Sequence, residues 1–425
     1  MNKILDSLEQ KLVPIASKLD QNRYLSAVKD GFFAVMSFLI IGSIFLLFAN
    51  LPINGYPEFM TGLLGEGWKQ YFLVPFFASM NVMTLFVMIG IARSLASSHN
   101  MDEESSIIGT LVAFLILTPF EAGESGLMLA ASAFSAEGLF LGIFTAIFTV
   151  EIMRIITEKG WVIKMHPSVP ENVSRSFSTL IPGLFVILFF GVIRLGFSFT
   201  SFQTIQNFIF TALQTPLMAL GDTLPARMIL TVVEQLLWSF GLHGNNIAGG
   251  AMAPIYQTLT VQNAEATMAG LLPPNIITVQ FNTNFVKVGG AGSTLGLVYL
   301  MATQAKSEQY KSLGRLSFAP AIFNINEPVI FGVPIVLNPL MIIPFFLAPL
   351  TLVVITYFAM FTGLVPYTSG VNIPWSTPPI ISGLLITGWR GALLQVVNIL
   401  VATAIYYPFF KIIDQKAYDE ENPQE

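Results

Sequence analysis

Between Leu316 and Phe410 the chain carries two charged side chains, Glu327 and Arg390. A water-facing surface of that length needs many more, so lipid is the solvent there. The whole chain agrees: 54% of residues are hydrophobic and 11% charged, whereas a soluble domain carries roughly a quarter charged residues. A soluble globule is excluded.

A membrane span needs about 20 apolar residues, and the chain offers about ten such stretches once tilt and short broken segments are allowed for. Clear ones lie near 28–49, 72–95, 133–152, 177–200, 340–362 and 380–408, and weaker ones near 106–120 and 227–243. The stretch 245–340 is apolar but repeatedly interrupted by Gly, Pro and Asn. The expectation is an all-α polytopic membrane protein of about ten spans, with re-entrant hairpins in its C-terminal half.

The first 23 residues hold Lys3, Asp6, Glu9, Lys11, Lys18, Asp20 and Arg23, so no cleaved signal is expected. Ile4, Leu5, Leu8, Leu12, Ile15 and Leu19 recur at helical spacing, which fits an amphipathic helix on the membrane face or an exposed leader helix. Basic residues collect before the first span (Lys11, Lys18, Arg23, Lys29), at 154–175, at Lys306, Lys311 and Arg315, and after the last span (Lys411, Lys416). By the positive-inside rule these segments are cytoplasmic, and both termini lie inside. The acidic loops 51–71 and 121–132 then face outward. There is no basic stripe for nucleic acid. Cysteine is absent, so no disulfide, zinc thiolate site or cysteine nucleophile exists within the chain.

Residues 28–200 read as plain spans with short loops, the composition of a scaffold, which makes 1–200 the scaffold domain. From about 201 the pattern changes. Ser201–Leu220 is more polar and suits an interfacial linking helix, which places a domain boundary there and makes 201–425 the transport domain. This half holds the backbone breaks Gly241–Asn246, Pro273–Asn275, Phe281–Phe285, Gly289–Thr294, Asn324–Pro328 and Asn372–Pro379. Non-helical backbone at membrane depth survives only where protein buries it or a water-filled cavity meets it, so several breaks in one half predict a cavity.

Glu327 stands out as a carboxylate in an apolar region. It can hydrogen-bond a polar substrate, or cap a hairpin tip as a structural acid. His243 sits between Gly241 and Gly244 and is followed by Asn245 and Asn246, a pattern that lets backbone and amides approach a ligand; the alternative is a satisfied interior histidine. Glu234 reads as a structural ion pair with Arg227 or with a cation from another span, and Lys287 and Arg390 as counter-ions or snorkelling residues. Trp238 and Trp375 can stack on a sugar face, whereas Trp389, beside Arg390, fits a membrane interface. With Asn282, Thr283 and Asn326 these breaks offer amides and hydroxyls but few charges, which suits a neutral, multiply hydroxylated solute. No metal-binding, cofactor or Walker motif is evident.

Three segments together, Gly241-Leu242-His243-Gly244-Asn245-Asn246, Phe281–Phe285 followed by Gly289–Gly296, and Asn324–Gly332, resemble enzyme IIC, the membrane component of the bacterial sugar phosphotransferase system. The resemblance is to the lactose, cellobiose and diacetylchitobiose branch and implies a diacetylchitobiose-specific member. The resemblance covers essentially the whole chain. It implies a cell-membrane permease that is a homodimer through its first half, holds one sugar per subunit, and receives phosphate for the sugar 6-hydroxyl from a separate enzyme IIB. It also implies that Glu327 and His243 sit at that hydroxyl as catalytic residues, with Glu327 as base or positioner, and that no phosphoenzyme forms on this chain. Two other classes compete: an ion-coupled secondary transporter using Glu327 or Glu234, and a membrane glycosyltransferase using Glu327 as base.

Overall fold

The computed structural model describes residues 21–422 apart from 52–54, 124–125, 167, 334 and 336–337, together with Pro14 and Lys18. The amphipathic leader helix expected over residues 4–19 lies outside the described residues.

Among the described residues six helices are long and apolar enough to cross a membrane, and each falls on one of the clear apolar stretches: α1 (Arg23–Ala49), α3 (Trp68–Ser98), α5 (Ala136–Glu158), α6 (Val173–Ser198), α13 (Leu340–Phe361) and α15 (Trp389–Glu421). Between α1 and α3 lies the short α2 (Tyr56–Leu64), and α4 (Glu103–Leu117) packs between α3 and α5. Asn22 caps α1 through its side-chain oxygen, which accepts from the Tyr24 and Leu25 amides, and Asp102 does the same for α4 at Ser105. One departure from an all-α fold is a hairpin of two short antiparallel strands, β1 (Phe120–Gly123) and β2 (Gly126–Leu129), within the acidic loop. Its backbone pairs with itself, which satisfies donors and acceptors without a helix.

The segment expected as one interfacial helix is α7 (Ile205–Gly221), which joins α8 (Leu224–Ser239) at a bend of 76°. Counted together the bent pair supplies a seventh span. Beyond it come α9 (Gly250–Met268), α10 (Leu295–Gln304), α11 (Glu308–Ile322), α12 (Glu327–Gly332) and α14 (Ile381–Thr387), which precedes α15. Most of these are too short to span, because Gly, Pro and Asn cut the apolar stretch. Asp414 on α15 accepts from the Lys306 and Ser307 amides, and Glu421 from those of Glu308 and Gln309, so the start of α11 is fastened to the far end of α15.

Side chains take over the hydrogen bonds that the breaks release. The wide turn Phe281–Val286 frees the Asn284 and Phe285 carbonyls; Gln395 Nε2 donates to the first at 2.7 Å and Asn398 Nδ2 to the second at 2.8 Å, both from α15. Asn263 bridges the Pro-rich break to the 368 segment, donating to the Asn275 and Thr368 carbonyls at 2.8 and 2.9 Å. Asp222, at the bend between α7 and α8, accepts from the Ile276 and Ile277 amides at 3.0 and 2.6 Å. Every amide or carboxylate so placed stops a peptide group from being buried unpaired.

Candidate functional site

Five of the six breaks line one cavity of about 480 Å³; the Pro273–Asn275 break does not reach it. Nine of the ten residues read from the sequence as substrate-binding line it: Trp238, His243, Asn245, Asn246, Asn282, Thr283, Asn326, Glu327 and Trp375. Gly244 is not among the lining residues. Its Cα packs on the backbone of α8, where an added Cβ would stand 2.8 Å from the Glu234 carbonyl carbon, so its place in the fold is set by close approach.

His243 follows the C-terminal end of α8, with Gly241 in the left-handed region at φ +77° turning the chain back. Its ring lies 4.4 Å from that of Trp238, centre to centre, and its Nδ1 accepts from the Asn246 amide at 3.3 Å. The proton of the neutral ring is thereby directed to Nε2. Glu327 and Lys287 are both close enough to act electrostatically on His243.

Glu327 opens α12, followed by Pro328 in the first turn. The residues around it are pinned by the Gly-rich loop 289–294. Asn326 Nδ2 donates to the Ala291 carbonyl at 2.6 Å and to Thr294 Oγ1 at 2.8 Å. Asn324, itself at φ +61°, accepts from the Gly289 amide at 2.8 Å and donates to the carbonyls of Trp375 at 2.7 Å and Thr377 at 3.2 Å. One side chain thus ties three breaks together. Gly290, at φ +91°, admits this packing because a Cβ there would meet the Asn324 carbonyl oxygen at 2.8 Å.

Glu234 and Arg227 are fully buried on α8, and Arg227 Nη2 meets Glu234 Oε2 at 2.9 Å. Lys287 reaches the same oxygen at 3.2 Å from the end of the wide turn, so it is a counter-ion rather than a snorkelling residue. Arg390 is exposed, with its guanidinium 5.6 Å from the centre of the Trp389 ring, as an interfacial pair would be.

Several lining residues carry no mark in a sequence reading. Lys29, Phe32, Phe33 and Met36 come from α1, and Tyr256 and Gln257 from α9. Asn372, within the Pro-rich break, accepts from Gln280 Nε2 through its side chain and from Ser43 of α1 through its carbonyl. Seven buried polar atoms on lining residues make no hydrogen bond among the described residues: Arg227 Nη1, Glu234 Oε1, Trp238 Nε1, Asn245 Oδ1, Tyr256 OH, Gln257 Nε2 and Asn282 Oδ1. They mix donors and acceptors, the complement of a hydroxyl-rich solute, since each hydroxyl both donates and accepts.

A polar cavity built from broken helices inside a bundle of membrane-crossing ones defines a multi-pass membrane transporter. This chain belongs to the EIIC family of the phosphotransferase system: the model described as "Phosphotransferase system, EIIC" matches residues 29–349. It is 42% identical to the lichenan permease IIC component of Bacillus subtilis (strain 168), over all of this chain and 97% of that one. It is 43% identical to the cellobiose-specific EIIC component of Geobacillus stearothermophilus, over 99% and 97% of the two chains. Among solved structures, the transporter ChbC, the IIC component from the N,N'-diacetylchitobiose-specific phosphotransferase system, superposes with a TM-score of 0.94 at 43% identity, over 98% of this chain and all of that one.

Proposed function

We propose that this chain is the sugar-transporting membrane subunit of a phosphoenolpyruvate-dependent phosphotransferase system. Its substrate is a β-linked disaccharide of the diacetylchitobiose or cellobiose kind, phosphorylated on the 6-hydroxyl from a separate enzyme IIB. The observation that carries the reading is the cavity of about 480 Å³ whose lining leaves buried donors and acceptors unpartnered on amide, indole and phenol side chains. Its volume lies within the range of about 300–1,000 Å³ usual for small-molecule sites. Relatives and structural neighbour named for lichenan, cellobiose and diacetylchitobiose support the sugar class.

Within this reading Trp238 and Trp375 face the sugar rings, while Asn245, Asn246, Asn282, Thr283 and Asn326 bind hydroxyls. Gly244 serves the site by letting the His243 turn pack on α8. Glu327 and His243 meet the acceptor hydroxyl, which a carboxylate can deprotonate or orient. Of the two carboxylates an ion-coupled transporter could use, Glu234 is clamped between Arg227 and Lys287, and the relatives named as phosphotransferase components support the acceptor-hydroxyl role for Glu327.

The protein works as a homodimer of about ten spans per subunit plus re-entrant hairpins. Residues 1–200 form the scaffold and dimer contact, and 201–425 the transport domain. Apolar side chains along α6, Leu184, Leu188, Val192 and Leu195, stay exposed and suit either lipid or a second subunit. Both termini are cytoplasmic in a bacterial cell membrane, a reading supported by the basic 306–315 segment and the end of α15 lying together.

Binding of radiolabelled diacetylchitobiose and cellobiose to the purified protein tests the proposal, comparing wild type with Glu327→Ala and His243→Ala. Loss of specific binding in both variants, with folding intact, is expected. Unchanged binding in both would move the site elsewhere, and no binding by wild type would remove the sugar assignment.

A further inference from the structure

The charges around the cavity exceed what a neutral sugar requires. Lys29, Arg227 and Lys287 line it against Glu234 and Glu327. Amides and indoles suffice to bind hydroxyls, and cations held at membrane depth are expensive unless something anionic meets them. Inside the cluster a single carboxylate oxygen, Glu234 Oε2, serves both Arg227 and Lys287, which leaves the group of three positive. Arg227 Nη1 is fully buried with no partner among the described residues, and Lys287, which has three donors, stays 12% exposed beside the cavity. Lys287, His243 and Glu327 line the same cavity, so this positive cluster shares it with the place assigned to the acceptor hydroxyl.

We infer that Arg227, Glu234 and Lys287 form an anion subsite that takes the phosphoryl group as it arrives on the sugar. Lys287 contacts the phosphoryl oxygens, and Glu234, fixed by Arg227, positions Lys287. The inference rests on the phosphotransfer reading above. In the step itself the sugar 6-hydroxyl oxygen bonds to phosphorus while the bond from phosphorus to the phosphorylated enzyme IIB breaks, its electron pair leaving with the donor. The hydroxyl proton passes to Glu327. A neutral ligand thereby acquires a phosphate charge of about −1.5 to −2. With Glu327 protonated, Arg227 and Lys287 stand against Glu234 alone, so the group keeps a net positive charge to set against the phosphate. Lysine and arginine clamps stabilise transferring phosphoryl groups in the same way.

The test measures equilibrium binding of the disaccharide and of its 6-phosphate to the full-length purified protein. Wild type is expected to bind the 6-phosphate at least as tightly as the neutral sugar. Lys287→Met leaves the Arg227–Glu234 pair closed, so it disturbs the fold least, and it should raise the ratio of the two dissociation constants by about tenfold or more. Lys287→Arg should restore the wild-type ratio. An unchanged ratio in Lys287→Met overturns the subsite, as does a wild type that binds the neutral sugar but discriminates more than about tenfold against its 6-phosphate. If Lys287→Met binds neither ligand, the wild-type ratio alone decides. A wild type that binds neither removes the transport reading itself and this inference with it, which distinguishes the two failures.

Discussion

Replacing Asn324 by alanine probes how the cavity wall is held. The side chain is buried and bridges the Gly-rich loop to the Pro-rich break through the Gly289 amide and the Trp375 and Thr377 carbonyls. Alanine leaves the buried Gly289 amide unpartnered, at about 1–3 kcal/mol, and the two carbonyls, on residues that are exposed or half-buried, lose about 0.5–1.5 kcal/mol each. The backbone at φ +61° adds a cost of about 1–2 kcal/mol for a residue whose side chain cannot hydrogen-bond locally. Together the loss is about 3–8 kcal/mol. Thermal unfolding of the detergent-purified protein should shift down clearly. Disaccharide binding should weaken by at least about tenfold, since Trp375 and the loop beside Asn326 lose their common anchor. Asn324→Gly separates the two contributions: it loses the same hydrogen bonds but accepts the positive φ, so it should recover about 1 kcal/mol relative to alanine. An alanine variant that melts and binds like wild type would refute the reasoning.

Three further outcomes follow from the same geometry. Glu327→Gln should lose sugar phosphorylation far more than sugar binding if Glu327 takes the hydroxyl proton, whereas equal losses in paired phosphorylation and binding assays would make it a positioner. Gly244→Ala drives a Cβ into the Glu234 carbonyl and should destabilise by about 1–3 kcal/mol, read as a lower melting temperature; an unshifted melt would mean the turn relaxes freely. Gln395→Leu removes bonds to the Ile380 and Gly383 amides, the Asn284 carbonyl and Ser382 Oγ, and should destabilise by about 3–5 kcal/mol, with recovery of wild-type melting behaviour refuting a structural role for that amide.

Much of the site could be read before any coordinates, because hydrocarbon makes exceptions conspicuous. Glu327, His243 and the Asn-rich breaks are departures from an apolar background, and the nine lining residues they contribute come together in one cavity. Gly244 shares a sequence segment with them but packs against Glu234, a contact that depends on the chain turning back on α8, which spacing does not reveal. Asn324 and Asn372 sat inside recognised breaks, yet nothing in their local sequence indicated that they bind other breaks rather than a ligand.

Local patterning suffices to set the solvent, the helical character, the positions of the six clear spans and the half of the chain that is irregular, since each follows from hydrophobicity and from the cost of unpaired peptide groups within short windows. Tertiary structure alone decided what those windows meet. The wall supplied by Lys29, Phe32, Phe33 and Met36 belongs to a helix that reads as an ordinary span, and Lys287 becomes a partner of Glu234 only when the chain 53 residues downstream of that carboxylate folds back to it. Apolar patterning reports which faces avoid water. It carries no information about which of many equally apolar faces pack together, and in a membrane that choice is made by close packing and buried hydrogen bonds between residues far apart in the chain.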